Sequence, residues 1–97
     1  MLVVTATIKA KPGRADDLEK AFKDILPVFR AEPGIITFKV HRTQEDPDTF
    51  FFFEQYRSRA DLDAHFATPH FKTFGRATAE MVTSRPQMTF CQDCKEV

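Results

Sequence analysis

Phe50-Phe51-Phe52-Phe53-Glu54-Gln55-Tyr56 is the stretch from which the fold can be read. In a strand, neighbouring side chains point to opposite faces. Phe50, Phe52, Glu54 and Tyr56 therefore share one side, and Phe51 and Phe53 the other. Both faces of this strand, Thr49–Arg57, are apolar. Helices can cover only one face of a four-stranded sheet, and the other would leave an apolar patch in water, which soluble monomers rarely tolerate. A second copy of the sheet packed face to face is the simplest cover, giving a two-fold homodimer. The other reading is that the rings fill an unusually thick monomer core. A pocket role for Glu54 would put Phe51 and Phe53 at the dimer interface.

Outward from this strand the pattern is regular. Before it, Gln44-Glu45-Asp46-Pro47-Asp48 reads as a turn and Ile35–His41 as a strand, with Ile36, Phe38 and Val40 on one face. Glu32-Pro33-Gly34 closes a helix that starts at Arg14 and places Leu18, Phe22, Ile25, Leu26 and Phe29 on one face. Pro27 lacks a backbone donor and clashes one turn back, so a kink is expected near residues 23–27. Leu2, Val4, Ala6 and Ile8 alternate in a first strand that ends at Lys11-Pro12-Gly13. After the phenylalanine strand, Ser58 is a helix N-cap with Asp61 three residues on. Arg59–Phe66 is a short helix. Thr68-Pro69 opens another, with proline at its first position, that carries Phe71, Phe74, Thr78 and Met81 to about Thr83. A last strand, 87–92, places Met88 and Phe90 on one face. The order strand, helix, strand, strand, helix pair, strand is the α+β, ferredoxin-like βαββαβ plan with an antiparallel four-stranded sheet.

Composition narrows the function classes. Ninety-seven residues allow one domain, 1–97. The 14 basic and 14 acidic residues cancel, which argues against a nucleic-acid partner. The longest apolar run, Phe50–Phe53, is far short of the ~20 residues of a membrane span. With no basic leader or small-residue cleavage site at Met1–Ile8, the expectation is a soluble, cytoplasmic protein without a membrane partner. Cys91 and Cys94 form one C-x-x-C, but no second pair completes a zinc site, and His41, His65 and His70 do not supply its spacing. The two thiols read as incidental and reduced. No metal is expected. No G-x-G-x-x-G or phosphate loop is present, and no flavin, nicotinamide or other cofactor is expected.

The chain resembles the antibiotic biosynthesis monooxygenase family of small dimeric α+β-barrel proteins, which includes quinol monooxygenases. The resemblance rests on Val3–Gly13, on Glu32-Pro33-Gly34, and on Asp46-Pro47 followed by Phe50-x-x-x-Glu54. It continues in Leu62-x-x-His65 and Thr68-Pro69-His70-Phe71. It implies a homodimer and a small-molecule cavity. The family holds oxygenases, haem-degrading enzymes, an isomerase and members of unknown activity, so fold is not function. The haem-degrading members use a Trp and an Asn. This chain has neither, and carries Tyr56 where many relatives carry Trp, which argues against haem degradation.

His65 shares the inner face of its helix with Leu62. A neutral imidazole at the edge of an apolar pocket can take a proton from a phenol or an acidic C–H. A histidine that merely braces two helices fits the same pattern. Glu54, in line with apolar residues, needs a partner, because unpaired burial is costly. His65, Arg57 and a backbone cap are the candidates, and the carboxylate either orients the histidine or pins strand to helix. His70, in the first turn of its helix, is placed at the cavity mouth, and His41 at the surface. Phe38, Phe52, Phe66, Phe71, Phe74 and Met81 are the candidate pocket walls.

The leading expectation is a cofactor-independent monooxygenase for a small aromatic, phenolic or quinol-like molecule. Deprotonation makes such a compound an anion able to reduce O2, and a dry cavity holds the resulting radical pair until it recombines. The alternatives are a non-catalytic dimeric module that binds a hydrophobic small molecule, and an isomerase using the same base.

Overall fold

The first strand, β1 (Leu2–Lys9), buries Val4, Ala6 and Ile8 on one face, as its alternation requires. The computed structural model describes residues 1–94. Gly13, at φ 80°, makes the left-handed turn into α1 (Ala15–Arg30). Asp16 and Asp17 sit in the first turn of α1 and Arg30 in its last, as the helix dipole favours. Its buried row is Ala15, Leu18, Phe22 and Phe29. Pro27 lies inside this one helix.

The hairpin β2 (Ile35–Arg42) and β3 (Thr49–Tyr56) follows, and β3 also pairs with β1. A bulge between Ile35 and Thr37 corrects the expected alternation. It turns Ile35 inward with Phe38 and leaves Ile36, expected inside, 49% exposed. Ser58 caps α2 (Arg59–Ala67) by accepting from the Asp61 N–H at 3.2 Å. Thr68 caps α3 (Pro69–Thr78) in the same way through the Phe71 N–H.

The last helix is shorter than its periodicity suggests. Thr78 donates its hydroxyl to the Phe74 carbonyl, and one 3-10 turn, Ala79–Met81, replaces the expected continuation to Thr83. The chain then runs beside the end of β1: the Lys11 N–H donates to the Met81 carbonyl at 2.8 Å and the Thr83 N–H to that of Lys9 at 2.9 Å.

β4 (Gln87–Gln92) pairs with β1 and completes the order β2-β3-β1-β4, antiparallel throughout. This is the ferredoxin-like α+β fold. The helices cover one face. Phe50, Phe52, Glu54 and Tyr56 are buried there, while Phe51 and Phe53 lie on the bare face among Thr5, Thr7, Lys39 and His41. His41 is exposed, as expected. Cys91 and Cys94 are free and exposed. Among the described residues no helix is long and apolar enough to cross a membrane.

Candidate functional site

A cavity of about 400 Å³ lies between the helices and the inner face of the sheet. It exists because α3 stops at Thr78 and leaves β4 uncovered. Five of the expected wall residues, Phe38, Phe52, Phe66, Phe71 and Phe74, line it. Met81 does not. The 3-10 turn carries it into the apolar cluster around Ala6, Ile8 and Phe22. The segment Val82–Pro86, which the sequence reading did not assign to the site, forms part of the wall together with Met88.

His65 projects from α2 and is 1% exposed. Aromatic rings enclose it: Phe29 meets it edge-on at 4.7 Å and Phe71 at 4.9 Å. Its Nδ1 lies 2.9 Å from Glu32 Oε2. His70 Nε2 lies 2.8 Å from the same oxygen. His70 is therefore a partner of Glu32, not a wall of the cavity mouth as expected. Burial lowers the His65 pKa below the usual 6.5, against the opposing pull of Glu32, so the ring is neutral near pH 7. With Nδ1–H donating to the Glu32 carboxylate, Nε2 keeps its lone pair.

Nε2 has no protein partner, and no fully buried side-chain nitrogen or oxygen is left unpartnered among the described residues. It must therefore reach the open space that His65 lines.

Glu32 was missed because it reads as part of the Glu32-Pro33-Gly34 turn. A signal did exist. A carboxylate just past a helix C-terminus faces the negative end of the dipole, so it needs donors from elsewhere, and two imidazoles supply them. Gly34 holds this turn against α2, where a Cβ at that position would collide with the side chain of Asp61.

Glu54 is 4% exposed. None of its three expected partners holds it. Its Oε1 accepts from the Tyr56 hydroxyl at 2.6 Å. Two residues apart on β3, the two side chains share a face. Arg57 points the other way and pairs with Asp61, and the histidine is oriented by Glu32 instead. Burial pushes the Glu54 pKa up to about 7, although the Tyr56 hydrogen bond opposes this. Burial and the neighbouring Glu54 raise the Tyr56 phenol above its usual range, so it remains a donor. Glu54 Oε2 has no partner among the described residues and, by the same reasoning as for His65 Nε2, faces the cavity. Two buried side chains thus each present one free polar atom to one apolar space.

The family model for antibiotic biosynthesis monooxygenase matches residues 1–77. The uncharacterized protein sll1783 of Synechocystis is 32% identical over 81 residues, which is 84% of this chain and 55% of that protein. The chain thus spans little more than half of that relative's length. The probable quinol monooxygenase YgiN of Escherichia coli is 31% identical over 87 residues, covering 79% of this chain and 84% of its own. The solved structure of PA3566 from Pseudomonas aeruginosa matches with a TM-score of 0.88 at 30% identity, over 96% of this chain and 93% of that one.

Proposed function

Because the chain belongs to the antibiotic biosynthesis monooxygenase family, we propose that it is a cofactor-independent monooxygenase oxidising a small phenolic or quinol-like compound with O2. The observation that carries this reading is the buried, neutral imidazole of His65, with its tautomer set by Glu32 and its Nε2 open to an apolar cavity. The similarity to a protein named as a quinol monooxygenase supports it.

His65 Nε2 takes the hydroxyl proton of the substrate. The anion passes one electron to O2, and the aromatic radical and superoxide recombine at a ring carbon that bears hydrogen. The peroxide anion formed there takes back the proton held on His65, and the resulting hydroperoxide loses water and leaves a carbonyl. Two hydrogens leave the substrate, one oxygen atom enters it and the other departs as water. The substrate supplies all four electrons, so no co-reductant is needed. Oxygen uptake with a panel of quinols tests the reaction. His65→Ala is expected to lower turnover by roughly 10²–10⁴-fold, the usual share of a general base. The wild-type rate is expected to rise with pH through a value below 6.5, where the base becomes free. A cavity that binds quinols with no oxygen uptake would replace this reading with that of a binding module.

The proposed assembly is a homodimer through the bare face of the sheet. Phe51, 37% exposed, and Phe53 stand at its centre. Sedimentation is expected to show twice the 11.2 kDa chain mass, and Phe51→Asp to shift it to monomer or aggregate. A wild-type monomer at micromolar concentration refutes the assembly.

A further inference from the structure

We infer that Glu54 acts as a neutral hydrogen-bond donor to a substrate oxygen, so that the cavity selects aromatic compounds bearing an acidic hydroxyl and a separate carbonyl or equivalent acceptor oxygen. The inference rests on the reading of this cavity as the substrate site.

The hydrogen-bond inventory of the Glu54–Tyr56 pair carries it. Tyr56 is fully buried, and its hydroxyl donates to Glu54 Oε1 at 2.6 Å. If Oε1 instead carried a proton and donated to the phenol, the phenol hydrogen would be buried with no acceptor, which is costly. When Glu54 is protonated, its hydrogen therefore sits on Oε2, the oxygen that faces the cavity. The surroundings favour that form. Val4 on β1 and Phe38 on β2 stand opposite Glu54 in the sheet, and Phe29 and Phe74 line the cavity from α1 and α3. No lysine or arginine contacts the carboxylate among the described residues. The titratable and charged groups around the cavity are Tyr56 on the same strand, His65 on α2 with Glu32 and His70 behind it, and Arg85 from the segment before β4, which makes no ion pair with Glu54.

His65 and Glu54 then play opposite parts. One presents a lone pair to a hydroxyl, and the other a hydrogen to an acceptor. A ligand with only one of these oxygens leaves one buried polar atom unpaired and forgoes about one net hydrogen bond. As the hydroxyl loses its proton to His65, negative charge spreads through the ring to the acceptor oxygen. A donor already in place there stabilises the anion that must react with O2.

The test uses the intact wild-type protein and two ligands of one skeleton. 6-Hydroxy-1-tetralone carries both oxygens. 5,6,7,8-Tetrahydro-2-naphthol lacks the carbonyl. Calorimetry at pH 6 is expected to show the ketone binding roughly three- to tenfold more tightly, the range of one net hydrogen bond. The preference is expected to survive in Glu54→Gln, whose amide still donates, and to vanish in Glu54→Leu. 1-Tetralone has no titrating group, so its affinity reports on the protein alone. It is expected to weaken as pH rises through about 7 in the wild type and not in Glu54→Gln. Equal binding of the first two ligands overturns the inference and leaves the cavity reading intact. Binding of neither overturns both.

Discussion

The two edges of this one sheet live in different surroundings. On the β2–β3 side, α1 and α2 bury the inner row, and Phe38, Phe50 and Phe52 are at most 6% exposed. On the β4 side, the inward-facing Met88 and Phe90 are 36% and 47% exposed, because α3 ends before it reaches them. The strands alternate equally well on both sides. Alternation states which face a residue occupies, not whether anything covers that face. The covered edge carries the packing that holds the domain together, and the uncovered edge leaves the space that becomes the cavity.

Truncation should separate the two edges most sharply. Phe50→Ala removes a ring that is 1% exposed and packed against Phe22. It is expected to cost about 3–5 kcal/mol in chemical denaturation. A loss below about 1 kcal/mol would erase the distinction between the edges.

The next effect belongs to the carboxylate on the covered side. Glu54 titrates near 7 in the folded protein against the usual 4.5. Between those values the folded state holds more protons than the unfolded one, so this group's contribution to stability falls as pH rises from about 4.5 to about 7. The full change is about 3 kcal/mol at most. His65 runs the opposite way: kept neutral by burial, it takes stability away as pH falls below 6.5. That contribution cancels when wild type is compared with Glu54→Gln. The wild-type melting temperature should therefore drop relative to the variant between pH 5 and pH 7. Parallel profiles would mean that Glu54 titrates as an ordinary surface acid.

The smallest effect is expected at the uncovered edge. Phe90 is held only on one side, with the Arg59 guanidinium 4.9 Å from its ring centre. Phe90→Ala is expected to cost about 0.5–1 kcal/mol, the size of an exposed cation–π contact. A cost comparable to that of Phe50→Ala would show that a second chain covers this edge in solution.

Much of the fold was legible because its signals are local. The strand periods, the Ser58 and Thr68 caps and the turn at Gly13 depend on residues a few positions apart, and each stands where the sequence places it. Two local readings failed. The bulge after Ile35 reverses the side of Ile36, since a one-residue slip moves a side chain to the other face. The end of α3 at Thr78 goes with the pairing of Met81–Thr83 to Lys9–Lys11, at least 70 positions away in sequence, which no helical period records.

The candidate site divides in the same way. The sequence by itself determined that Glu54 lies in a row with Phe50, Phe52 and Tyr56, because a strand's period of two permits nothing else. It also determined that His65 shares the inner face of its helix with Leu62. Only the tertiary structure decided who their partners are. Glu32 reaches His65 across 33 positions and His70 across 38, and a hydrogen bond spanning such a distance leaves no periodic trace. The tertiary structure also decided the protonation of the pair, because burial sets it. Alone in water, Glu54 would be ionised at pH 7 and His65 would be free to accept a charge. Between the helices and the sheet, the same desolvation raises the acid and lowers the base, since both shifts remove a charge from an apolar space.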